Sequence, residues 1–260
     1  MTITIAIAGK GGIGKTTLAA LFVRAAREAG IRPILAVDAD PNSNLAEALG
    51  VDAGRPLAEI REQVSSPEGS PAGGTGRARA VEDEIQRAVT EADGFDLITM
   101  GRPEGPRCYC AANNLLRTSL DRLTRNYAAV IVDNEAGMEH LSRRTTNNVD
   151  CLIVVLNPTE PSLRAARRIV ALSRELPVKI ARRAVLLNRV GPEGPPPEIQ
   201  RELAALGAER LPDVPQDDEV ERAGAAGQGV FCLRAQGPAI AAARQVMDAV
   251  CAAAGAACPG

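Results

Sequence analysis

The sequence is short of the features that most quickly place a chain. Neither sign of charge dominates, with 30 Lys and Arg against 32 Asp and Glu and a formal net charge of −2. That balance gives no global pull towards nucleic acid or an anionic membrane, and neither is expected as a partner. The arginine pairs at 143–144, 167–168 and 182–183 read as solvated helix faces and loop ends. Met1 leads straight into Thr-Ile-Thr-Ile-Ala-Ile-Ala, too short for a membrane span and without a basic lead. A cytoplasmic location is therefore expected, where disulfides are uncommon. Histidine occurs once, at His140, so imidazole is scarce as a metal ligand.

What is present is a regular alternation. Residues 2–8, 33–38, 95–100, 128–133, 151–156 and 183–188 are short Val/Ile/Leu-rich runs, the pattern of strands buried on both faces. Helical patterns fall at 15–29, 78–92, 111–126, 139–148, 159–175, 196–206 and 236–254. The expectation is an α/β fold: one domain over 1–260, with a mainly parallel sheet flanked by helices on both faces. Such a sheet binds ligands beyond the carboxyl ends of its strands. Residues 63–80, rich in Gly, Ser and Pro, read as a flexible surface insertion.

Directly after the first strand comes Gly9-Lys-Gly-Gly-Ile-Gly-Lys-Thr-Thr17, which satisfies G-x-x-x-x-G-K-[ST] and opens a helix. Gly9, Gly11, Gly12, Ile13 and Gly14 would curl backbone N–H groups round a phosphate, aided by the helix N-terminus before Thr17. Lys15 would bridge the terminal phosphates and the Thr16 hydroxyl would ligate Mg²⁺, with ATP as the nucleotide. Lys10 adds a second lysine. At this position it resembles the deviant P-loop of the family containing MinD, ParA, the nitrogenase iron protein and the tail-anchored-protein targeting ATPase. That resemblance implies a homodimer, in which Lys10 reaches the partner subunit's nucleotide.

Two acidic segments complete the expected site. Asp38-Ala-Asp40-Pro-Asn-Ser-Asn44 follows the second strand and resembles the first switch of these ATPases. Asp40 suits a water-positioning carboxylate, and Asp38 would help arrange Mg²⁺ or Lys10. Val130-Ile-Val-Asp133-Asn-Glu-Ala-Gly137 resembles a Walker B strand and second switch. Asp133 would hold a Mg²⁺-bound water, and the Gly137 amide would sense the γ-phosphate. Asn188 matches the family position that contacts adenine, and Leu211-Pro-Asp-Val-Pro215 resembles the loop that walls the base, through Pro212 and Asp213.

Of six cysteines, Cys151 lies in an apolar run and reads as core, while Cys232, Cys251 and Cys258 are isolated. Cys108 and Cys110 form the one constellation. In an extended segment residues i and i+2 share a face, so both thiolates can point one way. A buried pair without ligand and a redox pair are both open readings. A metal site is a third: Zn²⁺ or Ni²⁺ wants four ligands, one chain supplies two, and a two-fold axis completes a Cys₄ set.

The blocks Gly101-Arg-Pro-Glu-Gly-Pro-Arg-Cys-Tyr-Cys-Ala-Ala-Asn-Asn114 and Asp133-Asn-Glu-Ala-Gly-Met-Glu-His-Leu-Ser-Arg-Arg-Thr145 resemble the CooC ATPases over about residues 1–250. That resemblance implies an ATPase assisting nickel insertion into carbon monoxide dehydrogenase, or into a related acetyl-CoA synthase, as its apo nickel enzyme client. Two other readings stand beside it. An iron–sulfur reductase like the nitrogenase iron protein takes its cysteines from separated segments, whereas these are adjacent. A MinD- or ParA-like positioning ATPase needs a basic amphipathic tail or a basic surface, and residues 236–254 carry Arg244 as their one basic residue.

Overall fold

The computed structural model describes residues 2–60, 74–101, 118–135 and 148–255. Strand β1 (Ile3–Gly9) is buried along its whole length and leads through the glycine loop into helix α1 (Lys15–Glu28). Next come β2 (Ile34–Ala39), the short α2 (Leu45–Leu49), α3 (Gly74–Ala88), β3 (Thr90–Ala92), β4 (Phe95–Thr99) and β5 (Ala129–Asn134). The second half comprises β6 (Asn148–Leu156), α4 (Glu160–Leu172), β7 (Lys179–Val190), α5 (Pro197–Ala204), β8 (Glu209–Arg210), β9 (Val214–Pro215), α6 (Asp218–Ala225) and α7 (Pro238–Ala253). The sheet runs β3-β4-β2-β5-β1-β6-β7-β8, with β9 on β7, and every pairing is parallel except the β3–β4 hairpin. The expected α/β architecture is the observed one.

Alternation along β1 divides the core. Ile5 and Ile7 face a cluster with α1, α2 and α7, where Leu18, Phe22, Val246 and Met247 are buried. Ala6 and Ala8 face the other, where α3, α4 and α5 contribute Val81, Ile85, Leu163, Ile199 and Leu203. Both faces being covered, the central strands need no polar side, which is why they read as continuous apolar runs. Arg24 of α1, only 5% exposed, ties the turn before α7 to this core: it donates to the carbonyls of Val230 (2.6 Å) and Leu233 (3.0 Å) and to Glu28 (2.8 Å). Arg244 of α7 also pairs with Glu28. Partial burial works to raise the Glu28 pKa, but the two guanidiniums outweigh it and hold the carboxyl below its usual range.

Several expectations need correction. Residues 90–92 are a strand, not the end of a helix, because the Asp93-Gly94 turn folds them antiparallel onto β4. Residues 74–80 begin α3 rather than belonging to an irregular insertion, and 61–73 lie outside the described residues. Asn148 opens β6 instead of closing a helix. Strand β7 starts four residues early: Arg182 pairs with Glu209 (2.7 Å) and Arg183 donates to Ser173 Oγ (2.8 Å), so charged residues continue the strand. Helices α2 and α6 and strands β8 and β9 had no counterpart in the expected elements. Cys151 is fully buried, as expected. Among the described residues no helix is long and apolar enough to cross a membrane.

Candidate nucleotide-binding site

The carboxyl ends of β2, β5, β1 and β6 bring the glycine loop, Asp38 and Asp133 together. Helix α1 opens on Gly14, whose φ of 91° favours glycine, and a Cβ there would meet Asn188 Nδ2 at 2.7 Å. The helix has no side-chain cap and no acidic residue in its first turn. Its leading N–H groups and its dipole therefore remain available to an anion. Lys15 is 7% exposed and its ammonium donates to the Lys10 carbonyl at 3.4 Å, folded back over the loop. Lys10, Gly11 and Gly12 are exposed at the crest. Among the described residues no carboxylate lies within salt-bridge distance of Lys10.

Asp133 closes the other side. It is 1% exposed, and neither carboxylate oxygen meets a donor at hydrogen-bond geometry. Burial drives its pKa up to about 7. The Thr16 hydroxyl and the Lys15 charge offset part of that shift, and Asp38 and Asp40 add to it. A buried carboxylate without a donor beside a threonine hydroxyl is the oxygen set a Mg²⁺ ion takes, so these residues fit the ion. Asn134 and Asn157, at the ends of β5 and β6, each leave a buried amide oxygen without a donor as well.

The two aspartates at the end of β2 differ. Asp38, fully buried, accepts the N–H of Asp40 (3.1 Å) on one oxygen and that of Leu45 (2.8 Å) on the other. It fixes the loop between β2 and α2, and burial lifts its pKa to about 6. Asp40 is partly exposed and accepts from the backbone and side chain of Asn42, both at 2.9 Å. Neither aspartate bonds to Lys10 in this conformation.

A cleft of about 230 Å³ continues from Gly14 and Thr17 to Asn188, Arg189, Val214, Pro215 and Asp217. Asn188 is 6% exposed and its amide nitrogen donates to the Ile13 carbonyl at 2.8 Å. Pro212 and Asp213, expected at the base wall, do not line this cleft. Asp213 turns away to Arg210 at 2.8 Å, and the wall is made by Val214, Pro215 and Asp217, carried there by the pairing of β9 with β7. Asp217 also accepts the N–H of Glu219 (3.0 Å) and of Ala239 (3.2 Å), capping α6 and α7 together. The signal for this wall, Pro215-Gln-Asp217 three residues after Pro212-Asp213, was present in the sequence. Cys108, Cys110, Gly137 and His140 lie outside the described residues. Among the described residues no group of three or more His, Cys, Asp or Glu side chains is placed to hold a metal.

Known proteins resemble this arrangement. An uncharacterized ATP-binding protein of Methanocaldococcus jannaschii is 44% identical over 192 residues, 73% of this chain and 75% of the relative. The carbon monoxide dehydrogenase accessory protein CooC of Rhodospirillum rubrum is 36% identical over 187 residues, 67% of this chain and 70% of its own. The solved septum site-determining protein MinD of Pyrococcus horikoshii OT3, complexed with Mg-ADP, superposes with a TM-score of 0.71 at 22% identity over 98% of both chains, a likeness of fold. The family model for the CobQ/CobB/MinD/ParA nucleotide binding domain matches residues 4–230. The matched span holds the glycine loop, the uncapped helix and the donor-free Asp133, and the chain belongs to the CobQ/CobB/MinD/ParA nucleotide-binding family.

Proposed function

We propose that this protein is a dimeric ATPase whose turnover gates metal delivery to an apo nickel enzyme, of the carbon monoxide dehydrogenase or acetyl-CoA synthase type. The observation that carries the ATPase half is the buried Asp133 carboxylate without a donor, beside Thr16 and Lys15. Thr16 and Asp133 would hold Mg²⁺, which when bound neutralises charge on the phosphate oxygens. The α1 N-terminus and Lys15 hold the terminal phosphates, and Gly137 senses the γ-phosphate. Asp40, partly exposed and bonded to Asn42 through one oxygen, keeps its second oxygen to position the attacking water. Asn188 donates one of its two amide N–H groups to Ile13, which leaves the other N–H and the carbonyl oxygen for a base edge. No Asp follows Asn188 at the spacing that reads guanine, which favours adenine. Lys10, exposed at the crest, reaches the partner subunit's nucleotide.

The metal half rests on Cys108 and Cys110 and on the 36% identical CooC relative. Two thiolates from each subunit make a Cys₄ site for one Ni²⁺ or Zn²⁺ per dimer. The test is anaerobic metal analysis of the full-length protein with ADP, with a non-hydrolysable ATP analogue and without nucleotide. One metal per dimer is expected, lost in Cys108→Ser and in Cys110→Ser, with an affinity that nucleotide changes and that falls as the thiols are protonated at lower pH. Metal at one per monomer, indifferent to nucleotide and to both substitutions, sinks the delivery model and leaves the ATPase standing.

A further inference from the structure

Consecutive side chains of a strand point to opposite faces. At the end of β7, however, Asn188 and Arg189 both reach the glycine loop. Asn188 Nδ2 donates to the Ile13 carbonyl at 2.8 Å, and Arg189 Nη1 donates to the Gly12 carbonyl at 3.4 Å. The cause is local. Arg189 has φ of 57°, in the left-handed region that a residue with a Cβ rarely adopts, and the β7–β9 register shifts between Asn188 and Val190. Strain of this kind persists where the surroundings impose it, and it gathers at ligand sites. Here it turns the arginine back onto the loop instead of letting it follow the strand.

The loop has a matching weakness. Gly12 sits at φ of 79°, and nothing lies within 4 Å of where its Cβ would be. Packing does not set the orientation of its exposed peptide. Among the described residues, Arg189 is the side chain that holds its carbonyl. We propose that Arg189 is a positioning residue for the phosphate loop: it fixes the Gly12 peptide so that the loop's N–H groups face the phosphates. This rests on the nucleotide reading above, and it adds a residue that lies 177 positions beyond Gly12, far outside the G-x-x-x-x-G-K-[ST] motif.

The experiment compares wild type, Arg189→Gly and Arg189→Lys, as full-length protein with Mg²⁺. It measures affinity for ATP and for inorganic triphosphate, together with the Tm of the ligand-free protein. Glycine removes the guanidinium and relieves the left-handed strain at once. Its Tm is expected to rise while affinity for both anions falls by the same factor, about 10-fold for a hydrogen bond from a charged donor. Lysine, which keeps a donor, is expected to recover part of the loss. Unchanged affinity in Arg189→Gly overturns the proposal, whatever the Tm does. Weakening confined to ATP, with triphosphate unaffected, overturns it too, because the arginine would then read the base. Wild-type ATP binding secures the nucleotide reading however the variants fall. A wild type that binds neither anion overturns both.

Discussion

On the β7 side the glycine loop is held before any ligand arrives: Asn188 and Arg189 grip two successive carbonyls, and Asn188 is nearly buried in doing so. On the β5 side Asp133 offers two carboxylate oxygens that no donor meets. Asn188 gains stability in folding, whereas Asp133 carries a buried charge that protonation or a bound cation relieves. Removing the Asn188 amide and removing the Asp133 charge should therefore move stability in opposite directions.

The largest effect is expected at Asp133. Asp133→Asn keeps the shape and removes the buried charge, so the ligand-free protein should be more stable at pH 8 than wild type while Mg²⁺-dependent turnover falls by at least ~10²-fold. A less stable Asn variant in thermal melts would break the comparison. Asp40→Ala should also reduce turnover by ~10²-fold but spare nucleotide affinity, since Asp40 stands outside both flanks. Single-turnover assays beside equilibrium binding separate the two, and normal turnover removes Asp40 from its role.

Next comes pH. The folded-state values of Asp38 and Asp133, about 6 and about 7, lie above their unfolded value of 3.8. The folded chain therefore binds more protons, and stability falls as pH rises from about 4 through 7. Melts of the ligand-free protein should show Tm decreasing between pH 5 and 7.5, on the order of 1.4 kcal/mol per pH unit for each carboxyl still titrating in the fold alone. A Tm that rises across that window contradicts the picture of an unrelieved carboxylate pair. The smallest effect is on the gripped side: Asn188→Ala should cost about 1 kcal/mol of stability in denaturant unfolding and narrow the preference for ATP over GTP.

The glycine loop and its acidic neighbours were legible because the chemistry is local: Gly9 to Thr16 is contiguous, and Asp38 and Asp133 end apolar runs. Asp38 was legible in place but not in job, because its two bonds to backbone N–H depend on how residues 40–45 turn. The cleft wall was not separable in sequence because Pro212-Asp213 and Pro215-Gln-Asp217 lie close together. Only the pairing of β9 with β7, a tertiary contact, decides which one faces the cleft. Arg189 carried no signal at all, since its role comes from a backbone angle. The first turn of β7 hid behind Arg182 and Arg183, whose partners come from β8 and the end of α4. The Asp93-Gly94 pair was a readable hairpin turn that helical periodicity obscured.

Strand β1 is made first but completed late. Its two neighbours in the sheet are β5, with Ile3 opposite Ala129, and β6, with Ile5 opposite Cys151. During synthesis the glycine loop thus emerges some hundred residues ahead of anything that can shape it, and Asn188 and Arg189 follow later still. Contacts so distant in sequence form slowly, and until they do an apolar strand and its helix stand exposed. A nascent chain halted before residue 188 carries the whole phosphate motif without Asn188 and Arg189. Nucleotide binding by chains stalled at successive lengths should therefore report when the sheet is complete.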